Sequence, residues 1–161
     1  MKTVALFLFL LFLSSATADA AGLFIEGGEG FYFSHDTEAV IVRFQLDAPK
    51  LFGLEGFYEA TYASWNGHEH DEAIALARGV RWVSAMKSAV SLTAGLSYIS
   101  RTTSHLGQPF EFYGRLAFDE EIGRAFVSIG WLHYSDAKFL FQWSGPNDGE
   151  NFLTLTLGVY F

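Results

Sequence analysis

From Leu153 to the last residue, apolar side chains alternate with small or polar ones. Leu153, Leu155, Leu157, Val159 and Phe161 stand at odd positions, and Thr154, Thr156, Gly158 and Tyr160 at even ones. Successive side chains of an extended chain point to opposite faces, so this period of two predicts a strand with one apolar face. The pattern recurs upstream. Val40, Val42, Phe44 and Leu46 alternate with Ile41, Arg43, Gln45 and Asp47, and Leu54, Gly56, Tyr58, Ala60 and Tyr62 alternate with Glu55, Phe57, Glu59 and Thr61. Segments 24–33, 73–83, 89–99, 110–118 and 125–135, together with 40–47, 54–65 and 152–161, bring the expected strands to eight. The GGEG run at Gly27–Gly30 weakens the first of these and predicts a bulge or kink there. Around Arg78 the parity is ambiguous, so the faces of 73–83 stay unassigned.

A water-soluble core does not easily take Arg43, Glu55 and Glu59. The lumen of a small membrane barrel does, provided the charges pair across it and the apolar set meets lipid. With both ends placed on the periplasmic side, 48–53, 84–88 and 119–124 become inner turns, and 34–39, 66–72, 100–109 and 136–151 become outer loops. Shorter inner turns and longer outer loops are the usual asymmetry of such barrels. A tilted spanning strand takes about 9–11 residues, which leaves room for eight strands and not ten. The expected fold is therefore all-β, an eight-stranded antiparallel transmembrane β-barrel of the outer membrane. Side chains fill an interior of that size, which argues against a solute pore and moves any chemistry to the outer wall or the loops.

Composition narrows the picture further. Half of the 161 residues are hydrophobic, 17% are charged and none is Cys, which excludes a disulfide scaffold or a cysteine metal site. A net charge of -8 argues against nucleic acid as a partner. Lys2, the apolar run Val4–Leu13 and the closing Ala18-Asp19-Ala20 predict a secretory signal over 1–20, cleaved after Ala20, with Ala18 and Ala21 as neighbouring alternatives. Residues 21–161 then form a single barrel domain. No later apolar stretch approaches the roughly 18 residues of a membrane helix. Phe161, closing an apolar-faced strand, resembles the assembly signal of bacterial outer-membrane barrels and points to the Gram-negative outer membrane.

The seventh strand carries the candidate chemistry. Its odd positions are Val127, Ile129, Trp131, His133 and Ser135, and its even ones Ser128, Gly130, Leu132 and Tyr134. His133 and Ser135 thus continue a lipid-facing row, with Cβ atoms about 7 Å apart, within reach of a hydroxyl-to-imidazole hydrogen bond. A serine hydroxyl becomes a useful nucleophile when an adjacent base takes its proton, and imidazole suits that task near neutrality. A His and a Ser near a strand end are also ordinary interfacial residues, so the pair alone does not define an enzyme. Elsewhere, His68, Glu69, His70, Asp71 and Glu72 match no usual zinc spacing and read as a polar outer loop. Arg43, Glu55, Glu59, Arg81 and Arg115 read as a charge-paired lumen, and His35 and His105 join no constellation. The absence of a GxSxG elbow disfavours an α/β-hydrolase.

The HYSDA block at His133–Ala137 and PNDG at Pro146–Gly149, with a fainter match over Gly53–Gly67, resemble the lipid A 3-O-deacylases (PagL). The resemblance implies a serine esterase with a His-Ser-Glu triad on the lipid-facing surface, removing the 3-linked hydroxyacyl chain of lipid A without metal or other cofactor. Lipid A or lipopolysaccharide would be the substrate and outer-membrane lipid the surroundings, and a homodimer is compatible. Ser135 takes the place of the nucleophile and His133 that of the base. Two positions depart from the pattern. Asp136 stands where the family has an Asn attributed to oxyanion stabilisation, and Asn151 where it has Glu, with Glu150 one step away. Strand parity puts Asn151 outward beside His133, while the backbone freedom of Gly149 leaves open an outward rotation of Glu150. A non-enzymatic barrel of adhesive or structural kind is the alternative.

Overall fold

The computed structural model describes residues 21–67, 70–136, 146 and 148–161. Its strands are β1 (Ala21–Gly30), β2 (Glu38–Leu51), β3 (Leu54–Asn66), β4 (Asp71–Val83), β5 (Ser88–Ile99), β6 (Phe110–Ile122), β7 (Ala125–Asp136) and β8 (Glu150–Tyr160). They pair antiparallel in chain order, and β1 also pairs with β8, closing the barrel. Every described strand thus has two neighbours, and the ring leaves no open edge among them. Number, order and closure agree with the periodicity of the chain.

The strand ends differ from the sequence reading, for local reasons. β1 begins three residues earlier than expected and stops at Gly30, where the chain folds back so tightly that a Cβ would stand 1.9 Å from the Ser34 carbonyl oxygen. Phe31 and the 3-10 turn Tyr32–Ser34 thereby leave the sheet. No register shift occurs at GGEG; the irregularity falls between Ala48 and Leu51, around Pro49, which has no N–H to give the ladder. The inner turns contract because β2 and β6 run longer. Phe52 and Gly53 form one of them in the left-handed backbone region that two-residue hairpins use.

The two faces explain the composition. Leu153, Leu155, Leu157 and Ile129 are each more than half exposed on the outer wall, whereas Ser128, Tyr134, Thr154 and Thr156 are buried inside. β4 is also resolved: Ala73, Ala75, Ala77 and Arg81 are buried inward, and Arg78 points outward, its guanidinium 4.7 Å over the Tyr58 ring. Across the lumen, Arg43 Nε donates to Glu26 Oε2 at 2.6 Å and Arg43 Nη1 to Glu59 Oε2 at 2.9 Å. Arg115 Nε reaches Glu26 Oε1 at 3.3 Å, and the Tyr113 hydroxyl donates to Glu59 Oε1 at 2.6 Å. Glu55 does not join them. It follows the inner turn by two positions and is exposed, because the strand has already left the enclosed part of the lumen there. Toward the outer mouth the filling turns aromatic, with Trp65 5.3 Å from Tyr134 and 5.8 Å from Phe152 between ring centres, and Leu106 buried beside them.

Candidate active site

β7 climbs from its inner turn to the outer mouth, and its outward row ends with Trp131, His133 and Ser135. β8 starts at the same mouth and descends beside it, with Asn151 directly opposite His133 and Glu150 opposite Tyr134. Register therefore brings Asn151 to the histidine. Its Oδ1 lies 2.9 Å from His133 Nδ1 and accepts a second hydrogen bond, at 3.1 Å, from Trp131 Nε1. The indole and imidazole centres are 5.7 Å apart.

The backbone of Asn151 is held as firmly as its side chain. Its N–H donates to Ser34 Oγ at 2.8 Å, and its carbonyl accepts from the Phe31 N–H at 3.0 Å. Both partners belong to the connection between β1 and β2, which covers the top of β8 and buries Asn151 on a wall that is otherwise open to lipid. Neither Ser34 nor the indole N–H of Trp131 stood out in the sequence.

Ser135 follows on the same face, half-buried and paired in register with Phe112. Among the described residues no hydrogen bond joins its hydroxyl to the His133 ring. Asp136 is buried on the opposite, inner face, in register with Glu111. Its carboxylate thus points away from the side on which Ser135 stands. Glu150 is buried too, on the Tyr134 side of β8. Gly149 does adopt a positive φ, 79°, yet the turn it makes does not swing Glu150 outward. Instead the bare Cα packs against the histidine, so closely that a Cβ would lie 2.8 Å from His133 Cε1.

A third loop fixes this turn. The His105 carbonyl, between β5 and β6, accepts from the Asp148 N–H at 3.1 Å, and His105 Nδ1 lies 3.5 Å from Asp148 Oδ2. Gly107 N–H donates to the Pro146 carbonyl at 3.2 Å. His105, which in sequence supports no constellation, therefore anchors the residues that lead into β8. His35 Nδ1 lies 2.8 Å from the Tyr32 carbonyl oxygen. In the other acidic segment, Asp71 accepts from the Glu72 and Arg101 N–H groups, and His68 and Glu69 lie outside the described residues. Ala137 of HYSDA and Asn147 of PNDG lie outside them as well. No cluster of metal-ligating side chains is present among the described residues.

An imidazole hydrogen-bonded to an amide, with a serine next along the same outward row, stands at one end of a small closed membrane barrel. The chain belongs to the lipid A 3-O-deacylase (PagL) family, whose model matches residues 30–160. Among solved structures it is similar to the crystal structure of the outer membrane enzyme PagL, at 20% identity and a TM-score of 0.68, covering 86% of this chain and 98% of that one. A designed transmembrane β-barrel is similar at 10% identity and a TM-score of 0.63, covering 90% of this chain and 98% of the other. Comparison with curated proteins finds no match.

Proposed function

We propose that the protein is an outer-membrane serine esterase that hydrolyses the 3-linked hydroxyacyl ester of lipid A. The observation that carries this reading is the 2.9 Å contact between His133 Nδ1 and Asn151 Oδ1 on the lipid-facing wall, one alternation below Ser135. With Nδ1 committed to Asn151, the Nε2 lone pair is the base. Ser135 Oγ attacks the ester carbonyl as Nε2 takes its proton. Collapse of the tetrahedral intermediate breaks the bond to the sugar oxygen, which leaves with the proton from His133. A water molecule, deprotonated by the same nitrogen, then releases the hydroxy fatty acid from Ser135. No cofactor is needed.

The inward direction of Asp136 supports the reading, since it keeps a carboxylate away from the developing oxyanion. Asn151 holds the ring but brings no negative charge to the imidazolium, which makes a slow enzyme. That neutral amide is also what favours the alternative of an inert barrel.

Mass spectrometry of lipid A from cells expressing the intact protein separates the two. The esterase removes one hydroxyacyl mass, and an inert barrel leaves the lipid unchanged. In the same cells Ser135→Ala is expected to retain a heat-modifiable barrel and lose deacylation by several orders of magnitude. Release at the parent rate by that variant rules out Ser135 as nucleophile.

A further inference from the structure

We propose that Trp131 is a positioning residue that sets the tautomer of His133 by fixing which way the Asn151 amide faces; its kinetic consequence rests on the esterase reading above. A carboxylate offers either oxygen to an imidazole N–H, so its orientation is immaterial. An amide does not. Its oxygen and its NH2 group are nearly the same size, and a half-turn exchanges an acceptor for a donor. With Oδ1 toward the ring, Nδ1 carries the hydrogen and Nε2 keeps the lone pair that a general base needs. With Nδ2 toward the ring, Nδ1 is bare, Nε2 is protonated, and the face next to Ser135 has no base.

Trp131 removes this ambiguity. Indole Nε1 is a donor only, so the Asn151 atom 3.1 Å from it is the oxygen. The same oxygen lies 2.9 Å from His133 Nδ1, and its two lone pairs serve two N–H groups. Turning the amide over would set its NH2 against the indole N–H on a wall surrounded by hydrocarbon, where an unpaired donor finds no water. The main chain of Asn151 is fixed by Ser34 and Phe31, so the half-turn is the freedom that remains. Trp131 also stands two residues before His133 on the same outward row, its ring centre 5.7 Å from the imidazole, with a geometry set by the strand itself.

Trp131→Phe keeps an aromatic ring and deletes the donor. In detergent micelles above neutral pH, nitrogen-15 NMR of the His133 ring, assigned by comparison with His133→Gln, distinguishes the tautomers directly. The parent is expected to show Nδ1–H alone and Trp131→Phe a mixture. Adding Asn151→Asp to Trp131→Phe should restore Nδ1–H. In lipid A deacylation, Trp131→Phe should lower kcat about two- to tenfold with little change in KM, as for the loss of one neutral hydrogen bond. The same change in an Asn151→Asp background should cost less than about twofold. Pure Nδ1–H in Trp131→Phe, or an equal kcat loss in both backgrounds, overturns the proposal, the second because packing alone would be at work. An inactive parent defeats the esterase reading, and the nitrogen-15 spectra then decide the tautomer claim by themselves.

Discussion

At the scale of single residues the proposed esterase turns on the difference between an amide and a carboxylate at position 151. Asn151 fills the place from which a negative charge would steady the imidazolium, and it fills it at full hydrogen-bond contact with Nδ1. Asn151→Asp changes one atom and leaves the backbone anchors to Ser34 and Phe31 untouched. It is expected to raise kcat for hydroxy fatty acid release by about tenfold or more, equivalent to at least about 1.4 kcal/mol of barrier. An unchanged rate would mean that imidazolium formation does not limit turnover. Glu150 offers the matching control, because it lies on the other face of β8. Glu150→Gln should leave activity within about twofold, and Asn151→Ala should remove most of it, since only the second strips the ring of its partner. The reverse result assigns the orienting role to Glu150.

At the scale of elements, what the chain announces and what it hides follow from the range of the interactions. Period-two alternation is a property of the extended backbone, so the eight strands and most of their faces were legible from the residues alone, although Arg78 left the faces of β4 unassigned and Gly149 left open which of Asn151 and Glu150 meets His133. Ser34 was not, because it reaches Asn151 across 117 positions through a fold-back made by a loop. His105 was not either, since its carbonyl and its ring meet Asp148 only once the loop after β5 lies beside the start of β8. Trp131 read as one more lipid-facing aromatic, and its N–H matters only once β8 stands beside it. Strand ends were misjudged where a bulky residue enters a turn, as Phe52 does at a φ of 55°. The loop-to-strand junction before β8 can be tested by itself. Gly149→Ala places a Cβ 2.8 Å from His133 Cε1 at a backbone angle that costs an L-residue about 1–2 kcal/mol. The expected result is a barrel that still shifts on heating in electrophoresis, with kcat reduced about tenfold or more because the ring is pushed off Asn151. Normal activity in that variant would mean that the junction yields and the ring does not.

At the scale of the whole molecule, one chain must satisfy two solvents, hydrocarbon outside and a narrow polar space inside. Arg43 holds the inner side together, since it bridges Glu26 and Glu59 and has Arg115 as its neighbour on Glu26. All of these groups are enclosed, so each charge depends on its partners rather than on water. Arg43→Leu leaves Glu59 without that guanidinium and is expected to lower stability by about 3–5 kcal/mol, read from denaturant unfolding of the barrel in detergent or lipid. On the outer side, Leu155 lies within the apolar row on β8, between Leu153 and Leu157. Leu155→Arg brings a charge toward the hydrocarbon and should cost about 2–4 kcal/mol in a bilayer. The two variants also differ in how they respond to their surroundings. In micelles the introduced guanidinium reaches water with ease, so its cost should shrink, while the loss of Arg43 acts inside the wall and should cost the same in either medium. Equal penalties for Leu155→Arg in bilayer and micelle would mean that this row does not face lipid, and with it would fall the placing of His133 and Ser135 at a lipid-facing rim.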